Sequence, residues 1–299
     1  MQKIKSNDIS NDPVFREFVP WTGNVAAGFD VNFVGQLTDV SFNSGWDDEE
    51  RKRDRYCQPS YPPIDDEIPE WKTMLSAILD TRDSFTMIEA GAGYGRWLVS
   101  AASACRVRHP DLKIRLIGIE ADPTHYKWMH KHFLDNGLNP DGHRLIFGAV
   151  DDKDGEDTFL CSDDPSAWYG QHVAYADHHR TNFSDGYKRI TVPTFSIETI
   201  LSDLDRVDLM DFDIQYAEGR AIPASIEIMT RKVKRVFVET HNIEIHDIVY
   251  RSFESHGWEC THKHGYVNGC PSVEITPFGP VNFQAGLQCW INRNMSRDK

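Results

Sequence analysis

Residues 88–97 read Ile-Glu-Ala-Gly-Ala-Gly-Tyr-Gly-Arg-Trp, and this stretch decides the fold. The apolar run FTMIEA (85–90) that enters it suits a buried strand. The segment YGRWLVSAASACRVRH (94–109) that leaves it places Trp97, Leu98, Ala101, Ala102 and Cys105 on one helical face. Three glycines between a strand and a helix let the backbone turn tightly and approach a ligand with no Cβ in the way. The dinucleotide fingerprint G-x-G-x-x-G needs its third glycine three residues after the second. Here Gly95 follows Gly93 by two, and Arg96 stands where such a site takes Gly or Ala. A long side chain there obstructs close helix–strand packing, so a NAD(P) or FAD site is disfavoured.

Working outward, the same alternation recurs. Residues 66–81 carry Ile68, Trp71, Met74, Leu75, Ile78 and Leu79 at helical spacing, with Asp65 or Asp66 as N-cap and Pro69 in the first turn. KIRLIGIEA (113–121) is a second strand. Residues 123–137 form a second helix, capped by Asp122, opened by Pro123 and stopped at Gly137. HRLIFGAV (143–150) is a third strand. Strands and helices in this order, with short connections, build a parallel sheet through right-handed crossovers. Residues 151–187 break the rhythm as a polar, loop-like stretch with a strand at DTFLC (157–161). Residues 187–204 lead into a fourth core strand, 207–214; then come a helix over 217–232 interrupted by Pro223, a fifth strand (233–240) and a helix (243–257). Segments 258–264 and 287–292 close the sheet as an antiparallel pair.

This organisation places an α/β domain at 67–299 behind an N-terminal extension at 1–66. Within the extension, 28–42 alternates apolar residues with glycine, as short strands or a structured loop would. Residues 46–63 are a charge run ended by Pro62 and Pro63, either a solvated surface segment or a flap with Tyr56 and Tyr61 facing inward. The extension is a lid or an oligomerisation segment in this reading, and a homo-oligomer is left open.

A formal net charge of −14 argues against a protein that coats nucleic acid or rests on a polybasic membrane anchor. No apolar run approaches the ~20 residues that span a bilayer. The lysines of MQKIKSNDISNDP have no apolar stretch behind them, so the sequence predicts no secretory signal and a cytoplasmic location. Of the six cysteines none forms C-x-x-C, and free thiols are expected rather than disulfides or a zinc site.

The pattern acidic-x-Gly-x-Gly-x-Gly at 89–95 is similar to that of class I methyltransferases, Rossmann-like proteins that bind S-adenosylmethionine. In that reading Gly91, Ala92, Gly93, Tyr94 and Gly95 approach the methionine part of the cofactor, and Glu89 meets its ammonium group. Glu120, beside Ala121 at the next strand end and 25 residues after Gly95, accepts both ribose hydroxyls. After the third strand, Val150 packs on adenine and Asp151 accepts from its exocyclic amine.

The chain resembles the FkbM family of methyltransferases. The resemblance rests on IEAGAGYGRW (88–97), RLIGIEADP (115–123), DLMDFDIQYAEGRAI (208–222) and VKRVFVETHN (233–242), and covers about residues 67–260. The third segment is the distinctive one, with Asp213, Ile214, Gln215 and Glu218 matching and Tyr216 where the family usually has Gly. The segment around GFDVNFVG is similar to the N-terminal extension of some members. The resemblance implies a mostly parallel seven-stranded sheet with helices on both faces, S-adenosylmethionine as cofactor, and O-methylation of a small-molecule acceptor, a sugar or natural-product hydroxyl.

An alcohol acceptor must lose a proton, to a base within hydrogen-bond reach or with help from a metal. Asp211, Asp213, Glu218, Glu239, His241 and Asn242 lie at the ends of the fourth and fifth strands, where open α/β sheets bind ligands. The sequence reading makes His241 the general base, with Asp213 orienting it or the acceptor. Asp213, Glu239 and His241 could instead hold a divalent ion such as Mg, Mn or Fe. Glu218 caps its helix or stays solvated. The mid-chain residues Trp168, Tyr169, Gly170, Gln171 and His172, with His178 and His179, suit a ring acceptor or a plain surface loop. A non-catalytic cofactor-binding module and an N-methyltransferase remain as alternatives. The fourth strand ends Asp-Ile-Gln-Tyr rather than in the Asn/Asp-Pro-Pro-Tyr tetrad used on planar nitrogens.

Overall fold

The computed structural model describes residues 9–46, 48–167, 169–174, 187–267, 270–276 and 279–295. Its centre is a seven-stranded sheet. We number the strands β1 (Ser84–Ala90), β2 (Lys113–Glu120), β3 (Arg144–Phe147), β4 (Leu209–Phe212), β5 (Arg235–Thr240), β6 (Glu259–His264) and β7 (Gly286–Ile291). Their order across the sheet is β6-β7-β5-β4-β1-β2-β3. β1 to β5 are parallel, and β7 runs antiparallel to both β5 and β6. The chain order reverses between β1 and β4, where their carboxyl ends diverge into loops. That is the switch point at which open α/β sheets bind ligands.

Period-two alternation sends successive side chains to opposite faces. Met87 and Leu116 pack on one face with α1 (Ile68–Leu79), α2 (Arg96–Arg108) and α3 (Pro123–Asp135). Ile88 and Ile117 pack on the other with α4 (Ile197–Leu201), α5 (Glu218–Lys232) and α6 (Ile243–Ser255). Asp122 caps α3 as expected, accepting from Thr124 N at 2.7 Å. α5 is not interrupted at Pro223. The proline removes only the bond to the Gly219 carbonyl, and the buried face Ala221, Ile222, Ile226 and Met229 carries the helix on.

The expected third strand over 143–150 is two strands in two sheets. Gly148, at φ +154°, breaks it; a Cβ there would stand 2.6 Å from the Pro193 carbonyl. Beyond it, Ala149–Asp151 joins a four-stranded sheet with Gly155–Ser162, His172–Val173 and Tyr187–Ser196. The strand expected at 157–161 is present as Gly155–Ser162, and the sheet is stabilised by a small core of Phe159, Cys161, Val173 and Val192 against Ala121. Its alternation was hidden because one face of these strands is charged and solvated.

The N-terminal extension shares the main core. Phe15, Phe18 and Phe33 bury into the α1–α2 cluster, with Phe33 and Trp71 rings 4.9 Å apart. Phe29–Val31 pairs with Leu37–Asp39. The Leu37 backbone exchanges hydrogen bonds with the Asn136 side chain at 2.8 and 2.7 Å, docking this hairpin on the end of α3. In the charge run, Arg51 and Arg55 pair with Asp30. Tyr56 is exposed, and Tyr61 turns inward against Phe15 and Phe33, into the core rather than over a ligand. Cys57, Cys105, Cys161, Cys260 and Cys289 are free thiols. Among the described residues no helix is long and apolar enough to cross a membrane.

Candidate active site

One cavity of about 370 Å³ lies over the carboxyl ends of β1, β2, β4 and β5. That volume falls within the range of small-molecule sites. The glycine turn forms one side. The Gly91 and Ala92 amides both donate to the Ile119 carbonyl, at 3.0 and 2.9 Å, tying the turn to β2. Gly91 has φ +79°, and a Cβ there would lie 1.8 Å from the Asp213 carbonyl oxygen, so only glycine lets the β1 turn and the β4 loop abut. Glu120 is buried and accepts from Gly93 N at 2.7 Å and Asp122 N at 2.6 Å. Burial pushes its carboxyl up to about 8 despite those two donors. Glu89 is turned to the start of α2, accepting from Leu98 N at 3.1 Å and Trp97 N at 3.4 Å. Burial, then the neighbouring Asp211, raise it well above the usual carboxylate range.

The opposite side is made of acids held by side chains. Asp211, in register with Glu89 on β1 and Phe237 on β5, lies beside Glu70 of α1. Burial and Asp211 raise Glu70 strongly, so its protonated carboxyl donates to Asp211. Burial brings Asp211 up to about 7. Asp213 and Glu239 face the cavity at the ends of β4 and β5. Behind them stands His241, its side chain 10% exposed. Its Nδ1 is 3.0 Å from Glu218 Oε1, and its Nε2 lies 3.3 Å from Asp213 Oδ1 and 3.7 Å from Glu239 Oε1. Burial alone would lower the imidazole; Glu218 and Asp213 outweigh it and raise it well above its ordinary value. Glu218, fully buried, also accepts from Ile214 N at 3.2 Å. The loop between Asp213 and Glu218 holds Gln215 and Tyr216 at φ +48° and +80°, a conformation that favours glycine. The Tyr216 ring lies 5.4 Å from that of His241.

A third wall comes from the second sheet and α3. Val150, Phe159 and Val173 supply apolar surface, and Gln171 and Tyr169 line the same wall. Tyr169 stacks on His125 at 4.4 Å and donates to the Phe42 carbonyl, so the extension braces this wall. Asn43 and Trp46 of the extension reach the cavity mouth.

The model of the methyltransferase FkbM domain matches residues 89–266, more than half of the chain. The chain belongs to the FkbM methyltransferase family. It is 24% identical over 194 residues to a protein of Jannaschia sp. (strain CCS1) described as "Putative methyltransferase", covering 64% of this chain and 68% of that one. Among solved structures it is similar to methyltransferase FkbM of Methylobacillus flagellatus KT, at 13% identity and a TM-score of 0.40 over 75% of this chain and 58% of that one. It is also similar to precorrin-6y C5,15-methyltransferase of Geobacter metallireducens GS-15, at 11% identity and a TM-score of 0.36 over 73% and 86% of the two chains.

In this FkbM-family chain the expected residues do not all converge. Glu89, Gly91 to Gly95 except the last, Glu120, Ala121, Val150 and Asp213 line the cavity; Gly95 lies behind it, packed toward Met129. Asp151 does not line it. Both its oxygens accept from Arg220 at 2.8 Å, because α5 brings a guanidinium against it that the sequence does not announce. His241 stands behind Asp213 and Glu239 rather than lining the cavity, and its carboxylate neighbours raise it well above its ordinary value. Glu218 neither caps its helix by side chain nor stays solvated; it holds His241. Asn242 caps α6, accepting from Ile245 N at 2.8 Å. Arg96 does not wedge between helix and strand, since its guanidinium pairs with Glu67 at the cavity wall. Trp168, His178 and His179 lie outside the described residues.

Glu70 and Glu67 were missed. Glu70 sits four residues before Met74, in phase with the apolar face of α1, and an acid on an apolar face is the signal that could have found it. Tyr169 and Gln171, of the mid-chain stretch read as a ring-acceptor site or a plain surface loop, both line the cavity.

Proposed function

We propose that this chain transfers a methyl group from S-adenosylmethionine to a hydroxyl of a sugar or natural-product small molecule. The reading is carried by one cavity that has the glycine turn and Glu120 on one side and the Asp213–Glu239 pair on the other. The residues fit the donor. Each Glu120 oxygen has one backbone donor and a spare acceptor position for a ribose hydroxyl. Val150 and Phe159 offer apolar surface to adenine, and Gln171 replaces Asp151 as the polar group on that wall. The open backbone of Gly91 and Gly93 admits the methionine part, with Glu89 and the proton-sharing Glu70–Asp211 pair as its carboxyl surroundings. When bound, the donor supplies a methyl carbon activated by a positively charged sulfur.

At the other end Asp213 and Glu239 accept hydrogen bonds from the acceptor. Asp213 takes the reacting hydroxyl's proton, and His241 is the positioning residue that holds that carboxylate. The acceptor oxygen gains the methyl carbon, its proton passes to Asp213 Oδ, and the bonding electron pair stays on the departing sulfur. Alignment of the acceptor supplies much of the rate enhancement. Asn43 and Trp46 make the extension a lid in this reading, and the free thiols suit a cytoplasmic enzyme. The same carboxylate-rich lining favours a protonated amine as the alternative acceptor.

The test is calorimetric titration with S-adenosylhomocysteine, with NAD in parallel, followed by methyl-labelled donor against hydroxyl and amine acceptors. Binding of S-adenosylhomocysteine alone and label on oxygen are expected. Binding of NAD alone overturns the donor assignment, and label on nitrogen overturns the acceptor class.

A further inference from the structure

We propose that Asp213, Glu239 and His241 form a binding site for one divalent cation at the acceptor end of the cavity. The ligand atoms of the three residues lie within 4.8 Å of one another. His241 Nε2 is 3.3 Å from Asp213 Oδ1 and 3.7 Å from Glu239 Oε1. Ligands about 2.1 Å from a common ion stand about 3.0 to 4.2 Å apart, depending on the angle between them. The cluster thus closes onto a cation with small movements.

An independent observation points the same way. His241 Nε2 is buried and has no hydrogen-bond partner among the described residues, and it is aimed between the two carboxylates. Its other nitrogen faces the fully buried Glu218 at 3.0 Å. A carboxylate at that distance accepts a hydrogen bond from Nδ1–H and fixes the tautomer in which Nε2 offers its lone pair to a cation between Asp213 and Glu239. Three electron-rich atoms share that space only with a positive charge among them, either a proton on Nε2 or a cation that takes the proton's place. With the proton displaced by the ion, two carboxylates and a neutral imidazole carry a charge of −2, which matches a divalent ion, and the donor set suits Mn²⁺, Fe²⁺, Co²⁺ or Mg²⁺ more than a soft metal.

Asp213 and Glu239 are partly exposed, at 45% and 36% of their side chains, and line the cavity, so the remaining coordination positions open toward it. On the methyl-transfer reading, a hydroxyl coordinated there is acidified where the methyl group arrives. Cation binding itself does not depend on that reading.

The experiment is titration of the chelator-treated full chain with Mn²⁺, followed by loss of the free-ion electron paramagnetic resonance signal, with S-adenosylhomocysteine calorimetry on the same samples. One Mn²⁺ per chain is expected. Asp213→Asn and Glu239→Gln, both isosteric, should each weaken it at least tenfold, and Glu218→Gln by roughly tenfold through His241. Circular dichroism checks that each variant folds; either isosteric variant suffices. No Mn²⁺ bound by a chain that binds S-adenosylhomocysteine overturns the cation site and leaves the methyl-transfer reading standing. Binding unchanged in the folded variants also overturns it. Mn²⁺ bound as expected without S-adenosylhomocysteine supports the site and removes the methyl-transfer reading instead.

Discussion

The two sides of the cavity hold their carboxylates by different means. On the β1–β2 side, Glu89 and Glu120 are bonded by backbone amides of nearby residues, Trp97 and Leu98 for the first and Gly93 and Asp122 for the second. On the β4–β5 side, Asp211 is held by Glu70, and Asp213 and Glu239 by His241, which is held in turn by Glu218. Backbone donors come with the strand–turn–helix geometry and cannot titrate. Side-chain partners come from α1, α5 and the β5 end, and each adds a proton whose position depends on its neighbours. The first side is built to hold a ligand in one pose, the second to respond to what binds.

The largest expected effect tests whether the two sides are one rigid unit. Gly91→Ala adds a Cβ against the Asp213 carbonyl and an unfavourable φ, and should destabilise by about 3 kcal/mol or more in urea unfolding. A loss below about 1 kcal/mol would mean that the β4 loop moves freely of the turn.

Next, Glu120→Ala should weaken S-adenosylhomocysteine roughly tenfold to a hundredfold, the loss of hydrogen bonds to a charged group worth about 1.5–3 kcal/mol. His241→Ala should leave that affinity within about twofold and remove most turnover, since it acts on the other side. Equal effects of the two variants on affinity would erase the division.

The sides also differ in pH response. Glu120 is raised to about 8 in the folded chain, so it binds a proton there that the unfolded chain has released. The stability it contributes is full below its unfolded value, about 4.3, and is lost as pH rises through about 8. On the proposed cofactor reading, ligand affinity should run the opposite way, because ribose hydroxyls would donate to the ionised carboxylate. S-adenosylhomocysteine should bind more tightly from pH 6 to 8, approaching tenfold per pH unit, and level off above. Calorimetry across that range checks it, and Glu120→Gln should flatten the profile.

The smallest effect lies in the loop that joins the sides. Gln215→Gly relieves a left-handed residue and should stabilise by about 0.5–1 kcal/mol, with thermal unfolding as the measure. A loss of stability would show that the Gln215 contact to Asp213 at 3.1 Å outweighs the backbone cost.

The legible parts of the chain were those whose signal is local. The helices and parallel strands around 66–147 and 207–257 show their periodicity within a dozen residues, and the glycine turn needs only the five residues from Gly91 to Gly95. Of the second sheet only the strand at 157–161 was legible; its pairing was not, because Gly155–Ser162 and Tyr187–Ser196 meet across an intervening segment. Nor was the role of the extension, whose phenylalanines gain meaning only against Trp71 and α2.

By itself, then, the sequence determined the α/β class, the strand-end placement of Glu89, Glu120, Asp211, Asp213 and Glu239, and the family, since each follows from spacing along one segment. Tertiary structure alone decided that Asp151 belongs to Arg220, that Glu70 joins Asp211, and that His241 lies between Glu218 and two cavity carboxylates. Charges in a buried site take their state from neighbours brought together by packing, and apart from Glu239, two residues from His241, those neighbours are about two dozen to more than a hundred residues apart in the chain.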